Sequence, residues 1–579
     1  MVRLNQFQHE IPSIGLKYAF FADCIENSVD KIGVIYDFDL ETHLSLFEKM
    51  LFQIERNPNQ CIKYILNHFQ NRLVRTNDIF VLKRLSSDIQ YLETNRGNLA
   101  KIQRKLLTIV KKLKKNQLKW YLDEIVEVCL DENQTPKSSR NVLEYYAILI
   151  VSEFIFSDFS KDEINEIPNI IIPNKKREYG IKKDLQGREK VGFKSQIQRI
   201  NRYFRKPKLQ LRYIAGLKDA QANEKSFEYH YEGMTIISSE NEKLKDVVDI
   251  SFYDPSISDF REKFLESKSL LVYQVLSTNS EKEGLKKFYQ NIEHLLKHLS
   301  SISKSLVTVD RSEYQATNIK NNHSTSATRP KMAFFSSEII RLSIGKYGNL
   351  NLEFGTHVLS RDVERFKKID KIYYMVMSET DEREQILLFW RYLEGLFIHL
   401  KHPKEKALEI IKEVCRILVV NEEKRYIYQI KNGLINIVIN HYPMLEATHY
   451  QFFDYSKKEL KYDEFKHHKP AYEHNFISSQ IKKIEDYQKN RQKNINDSYQ
   501  YNRLILTESY EQRNFLTHDF EAMPLATKKL SFILPQIIRR LRLEIAETIL
   551  KYDLKDVSLQ NILELQSKKG VRMLFGNKE

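Results

Sequence analysis

The sequence predicts a mainly α multidomain protein, with a helical N-terminal domain, an α+β central domain and an all-α C-terminal bundle. Three observations predict it. At 579 residues the chain exceeds what one hydrophobic core organises, and a prior of about 150 residues per domain suggests roughly three or four units. Apolar residues recur at spacings of three and four towards both ends. Between them lie short runs rich in aromatic and β-branched residues that partly alternate with polar ones. A composition of 42% hydrophobic and 29% charged residues supports packed cores and excludes wholesale disorder, while 16 Gly and 13 Pro exclude a collagen-like or low-complexity chain.

Taken in order, residues 1–165 read as all-α. Leu44, Phe47, Leu51 and Ile54 form one stripe and Ile102, Leu106, Ile109 and Leu113 another, with polar breaks at 56–59 and 133–136. Residues 166–212 form a basic connecting segment, and 213–375 the central domain. Strands are expected at Phe227–Tyr231, Met234–Ile237 and Val247–Tyr253, and a helix at Leu285–Ser303. A polar linker follows over Thr317–Pro330, then a hairpin in which Leu342 and Ile344 face Leu350, Leu352 and Phe354 across a turn at Lys346–Asn349. Within 380–579, helices are expected at Gln385–Leu400, Lys404–Val420, Lys424–Asn440, Leu504–Met523 and Lys528–Tyr552, interrupted by a polar insert over about 446–503. Leu530, Ile533, Ile537, Leu541, Ile545 and Ile549 stripe the last helix, and Pro535 must sit in its first turn or kink it.

Four widely separated cysteines, Cys24, Cys61, Cys129 and Cys415, argue against a disulfide framework or a cysteine-based zinc site. The first ten residues lack the apolar stretch of a signal peptide, and the longest apolar run, near Tyr145–Phe156, falls short of a membrane span. A cytoplasmic protein without membrane contact is therefore expected. The net charge of +15 favours polyanionic partners. It is concentrated: Lys175–Arg212 holds fourteen Lys/Arg against three acids. Within it Lys194, Arg199, Arg202, Tyr203, Arg205, Lys206, Lys208 and Arg212 interleave cations and aromatics, a composition suited to gripping phosphates and stacking bases. The alternative is a solvated helix whose Ile197, Ile200 and Phe204 pack inward.

The insert is dense in tyrosine (Tyr450, Tyr455, Tyr462, Tyr472, Tyr487, Tyr499, Tyr501), a further candidate for base stacking, with a solvated loop as the alternative. His467, His468 and His474 have no carboxylate or Cys partners at ligand spacing, so no metal site and no cofactor are predicted.

One segment combines residue types that do chemistry: Arg513-Asn514-Phe515-Leu516-Thr517-His518. Arg supplies a permanent cation for phosphate oxygens, and His an imidazole that moves a proton near neutral pH. RNA cleavage without a metal needs both. A base removes the 2′-hydroxyl proton, the oxygen attacks the adjacent phosphorus, a cation stabilises the charge on phosphoryl oxygens, and the 5′-oxygen leaves. A second Arg–His pair, Arg3 and His9, lies outside any convincing helix.

The segment resembles the R-x4-6-H signature, with Asn after the Arg, of the HEPN superfamily of helical ribonucleases found in toxins, abortive-infection proteins and CRISPR effectors. Leu388-Phe-Trp-Arg-Tyr-Leu-Glu-Gly-Leu-Phe-Ile398 upstream is similar to the Trp- and Glu-containing helix of its Apea-like branch, which includes anti-phage defence proteins. The resemblance covers about 200 C-terminal residues and implies a HEPN-like bundle. It implies that Arg513 holds the scissile phosphate, that His518 is the general base or acid, that Asn514 orients one of them, and that Glu394 partners His518. It further implies an RNA substrate, a homodimer or higher oligomer that brings two motifs to one groove, and a phage-derived or host protein trigger. The motif is expected to open a late helix. A non-enzymatic nucleic-acid-binding scaffold that keeps the fold for dimerisation is the competing reading, and a regulatory subunit a third.

Overall fold

Asn98 shows how the N-terminal stripes become helices. Its side chain accepts the Lys101 amide at 3.1 Å and starts α4 (Leu99–Leu130). Ile102, Leu106, Ile109 and Leu113 then fall on one buried face. At the far end the buried Lys17 ammonium donates to the carbonyls of Val128 at 3.2 Å and Asp131 at 2.7 Å, which complements the negative end of the helix.

The computed structural model describes residues 13–32, 41–53, 81–95, 97–172, 190–206, 208–218, 224–243, 270–279, 281–303, 308–319, 323–328, 368–369, 371–377, 379, 381–398, 406–441, 453–454, 459–460, 475–518, 524–552 and 558–575. These are mostly helical, with one six-stranded antiparallel sheet. Before α4 lie α1 (Ser13–Lys31), α2 (His43–Gln53), a π-helical turn (Val81–Leu85) and α3 (Ser86–Thr94). After it come α5 (Arg140–Phe156), α6 (Lys161–Asn165), α7 (Ile167–Ile171) and α8 (Lys190–Phe204). The sheet region follows: β1 (Leu209–Lys218), β2 (Glu228–Tyr231), β3 (Met234–Ser238), β4 (Leu270–Thr278), α9 (Glu281–Ser303), β5 (Thr308–Asn318) and β6 (His323–Thr328). The C-terminal third holds α10 (Glu382–Leu396), α11 (Lys406–Leu418), α12 (Glu422–His441), the short pair β7 (Phe453–Asp454) and β8 (Glu459–Leu460), α13 (Asn475–Lys489), α14 (Arg491–His518), α15 (Pro524–Tyr552) and α16 (Leu559–Phe575). Among the described residues no helix is long and apolar enough to cross a membrane.

Two compact units result, and they cut across the divisions read from the sequence. One combines Met1–Ser157, Lys161–Phe204 and Asn349–Glu579; the other holds Asp158–Ser160 and Arg205–Gly348. In the first, helices from the two ends of the chain share one core. Phe20 of α1 packs on Phe476 of α13 with ring centroids 6.2 Å apart, Glu144 of α5 pairs with Lys483 of α13 at 2.5 Å, and Lys528 of α15 donates to the Phe156 carbonyl at 3.1 Å. In the second unit the strand order is β2-β3-β4-β1-β5-β6. Alternate β1 residues Leu211, Tyr213, Ala215 and Leu217 share a core with Leu285, Phe288, Ile292 and Leu295 of α9. Tyr213 closes it, stacking on Phe288 and donating to the Glu281 carbonyl at 2.8 Å.

Several boundaries differ from the expected ones, each for a physical reason. The polar linker expected over Thr317–Pro330 contains β6, an edge strand held to β5 by main-chain pairing and therefore without an apolar alternation. The polar insert expected over about 446–503 is helical from Asn475: α13 buries Ile477, Ile481, Ile484 and Tyr487 as a stripe set among many polar residues, and the start of α14 buries the polar Ser498 and Asn502. With those polar side chains on its buried face, α14 (Arg491–His518) begins well before the expected Leu504. Pro535 lies inside α15, which starts at Pro524. The strand expected at Val247–Tyr253 and the hairpin over 342–354 lie outside the described residues.

Candidate active site

The Arg513-to-His518 segment closes a helix, where the sequence reading had it opening one: it is the last turn and a half of α14, and His518 is the terminal residue. Two contacts fix this end of α14 against α10. The fully buried Trp390 indole donates to Ser509 Oγ at 3.2 Å, and its ring meets Tyr510 at 5.1 Å. One turn of α10 beyond Trp390 lies Glu394, and one turn of α14 beyond Ser509 lies Arg513. The same register that seats the tryptophan therefore brings Glu394 to Arg513.

Arg513 Nη2 lies 3.4 Å from Glu394 Oε1, and Nη1 donates to Asn514 Oδ1 at 3.2 Å. The Arg513 and Glu394 side chains are 28% and 40% exposed, so a guanidinium oriented by protein still meets solvent and any anion that approaches. Glu394 thus pairs with Arg513, while its expected partnership with His518 falls on a side chain outside the described ones. Thr517 Oγ1 donates to the Arg513 carbonyl at 2.9 Å, so the last turn of α14 is tied by a side chain as well as by its backbone. The His518 side chain lies outside the described ones. Five residues along a helix set the Arg513 and His518 Cα positions about 140° apart around the axis.

Beneath the site, Glu508 of α14 is buried between two lysines. Lys49 of α2 lies 3.4 Å from one carboxylate oxygen and Lys529 of α15 lies 3.4 Å from the other. Burial alone would raise this carboxyl, but the two ammonium groups outweigh it and hold it below the usual carboxylate range. The motif-bearing helix is therefore pinned electrostatically to an N-terminal helix and to α15.

The expected nucleic-acid contacts divide between the two units. Lys194, Arg199 and Arg202 are exposed on α8, while Ile197 and Ile200 on the same helix are buried. Tyr203 is not offered to a base: its ring stacks on Phe154 at 6.2 Å and its hydroxyl donates to the Glu163 carbonyl at 3.3 Å. Burial, with Glu163 and Glu166 nearby, pushes this phenol up to about 12. Arg205, Lys206, Lys208 and Arg212 belong to the second unit. Arg205 and Lys208 are exposed, the Lys206 ammonium sits 5.5 Å over Phe159, and Arg212 is half-buried on β1.

The insert tyrosines that are described serve packing. Tyr487 is buried and stacks on Tyr426 at 4.3 Å, and Tyr499 packs against Val419, Ile495 and Leu574. Tyr450, Tyr455, Tyr462, Tyr472, His467, His468 and His474 lie outside the described residues. Arg513, Asn514 and Glu394, each named from the sequence, meet in the structure, whereas the Trp390–Ser509 contact that sets their register was not expected. An apolar helix with one tryptophan opposite a serine-bearing polar helix was the available signal. No protein-family model, curated protein or solved structure matches this chain.

Proposed function

We propose that the protein is a metal-independent endoribonuclease of the HEPN type, with its C-terminal helices as the HEPN bundle. The observation that supports this most is the Arg513 guanidinium, partly exposed at a helix end and oriented by Glu394 and Asn514, five residues before His518. In this reading Arg513 binds the non-bridging oxygens of the scissile phosphate. His518 takes the 2′-hydroxyl proton or gives one to the departing 5′-oxygen. As the oxygen attacks phosphorus, Arg513 stabilises the added charge, and Glu394 and Asn514 hold its plane so that little reorganisation is needed. The wide angular separation of Arg513 and His518 favours a site completed by a second copy of the chain, so the active form is a homodimer or higher oligomer. Regulation by a phage-derived or host protein suits a cytoplasmic antiviral effector whose unrestrained activity would harm its host.

Expression supplies a first test. Wild type should slow the growth of the host cell with loss of intact RNA, and Arg513→Ala and His518→Ala, expressed at equal levels, should not. Equal toxicity of the three would end the reading. The scaffold alternative predicts no RNA loss in any of them.

A further inference from the structure

A second concentration of charge lies on α4. From Leu99 to Leu122 it carries Lys101, Arg104, Lys105, Lys111, Lys112, Lys114, Lys115 and Lys119 and no acid. On an ideal helix Lys101, Arg104, Lys111, Lys115 and Lys119 fall within about 80° of one another and span about 27 Å. All five are exposed. Described acids pair along the flanks: Asp88 with Lys105 at 2.6 Å and Lys112 at 3.2 Å, and Glu48 with Lys114 at 2.6 Å. Lys101, Arg104, Lys111 and Lys119 form no ion pair with any described residue.

The ridge continues onto α8, which packs against α4 in the same unit. One turn past Lys119, Asp123 accepts a hydrogen bond from Gln198 Nε2 at 2.9 Å. Lys194 and Arg202 lie one turn before and one turn after Gln198, on its face of α8, and both are exposed. At this junction the Gln198 amide fixes the Asp123 carboxylate, whose single negative charge lies between the cations of the two helices. Along the other flank Tyr91 is 40% exposed beneath the Lys105 ammonium at 5.0 Å, and Trp120 lies beneath Arg84 and Lys112.

We propose that the exposed cations of α4 and α8 form one track that binds the phosphate backbone of single-stranded RNA. A straight row of exposed cations reads charge, not sequence, and releases counterions when it binds. Exposed Tyr91 favours a strand with free bases, because a duplex hides its π-faces. The choice of RNA rests on the nuclease reading of the Arg513 site; attraction of the track for phosphates does not. The track would hold RNA along the N-terminal helices of the unit whose C-terminal helices carry Arg513.

The test uses the full chain carrying Arg513→Ala, so that RNA survives, and a labelled single-stranded oligoribonucleotide titrated by fluorescence anisotropy at several salt concentrations. Combining Lys101→Glu, Arg104→Glu, Lys111→Glu and Lys119→Glu should weaken binding by at least about tenfold near 0.1 M salt and flatten the log–log salt slope by about 3, at roughly 0.7 per lost phosphate contact. The same four positions changed to Gln should fall between, and unchanged circular dichroism and melting should show that the variants fold. Unchanged affinity and slope in the Glu variant would overturn the proposal. So would tighter binding of duplex DNA or of phosphatidylserine vesicles than of the RNA. Track-dependent binding by a wild type that cuts no RNA would refute the nuclease reading alone.

Discussion

Replacing Glu508 with Gln tests whether the two ends of the chain are locked together as the structure has them. The carboxylate is buried with Lys49 and Lys529 each at 3.4 Å. At an effective dielectric of about 20, each contact has a gross attraction of about 5 kcal/mol, most of it offset by taking three charges out of water. Gln keeps the shape but removes the carboxylate that both buried ammonium groups share, while Glu511 still faces Lys49. Breaking a buried pair in this way costs about 3–5 kcal/mol. With a urea slope of about 3 kcal/mol/M, the midpoint should fall by about 1–1.7 M. Tryptophan fluorescence is the assay, because Trp120 and Trp390 both lie in this unit and report on its N-terminal and C-terminal helices respectively. The wild-type contribution is present above the ordinary carboxylate range and is lost as pH falls through the lowered folded value, so the two proteins should converge in acid. A loss below about 1 kcal/mol at neutral pH, or separate transitions for the two tryptophans, would refute the reasoning.

Glu153, buried against Gln117 and Thr42, runs the other way: burial pushes its carboxyl up to about 7 from 4.5. Its stabilising contribution is full below the unfolded value and is lost as pH rises through about 7. Relative to Glu153→Gln, wild type should therefore lose on the order of 3 kcal/mol between pH 4.5 and pH 8 in thermal melts; parallel pH curves would contradict this. Gly570→Ala places a methyl against the Arg416 carbonyl where α16 crosses α11, so melting should show a loss of about 1–3 kcal/mol, and an unchanged melting temperature would mean the helices do not approach so closely. Glu394→Gln should leave stability within about 1 kcal/mol, since the pair is partly exposed, while lowering the cleavage rate about tenfold through a mispositioned Arg513. Equal loss of melting temperature and rate would indicate a structural role only.

The helices that hydrophobic stripes mark, α4 with Ile102 to Leu113 and α15 with Leu530 to Ile545, were legible from spacing alone, as were β2, β3 and α9. Elements that bury polar side chains were not. Ser498, Asn502, Ser509 and Gln512 line the inner face of α14, so the start of the helix carrying Arg513 read as an insert. The edge strand β6, with the sequence His-Ser-Thr-Ser-Ala-Thr, is held by its backbone and leaves no apolar signal. Arg513 and Asn514 were legible because their chemistry is local. The Arg513–Glu394 contact was not, because 119 residues separate the partners and only the Trp390–Ser509 register brings them together. The α4 ridge escaped notice because acids later in the chain balance its charge in any regional sum, whereas a count over one helix face exposes it.

Product chemistry bears most directly on the central claim. Purified wild type should cut single-stranded RNA in EDTA and leave a 2′,3′-cyclic phosphate on the upstream fragment, and both Arg513→Ala and His518→Ala, folded by circular dichroism, should leave the RNA intact. Cleavage that persists in His518→Ala, or a wild type that leaves RNA uncut in every assembly state, would contradict it.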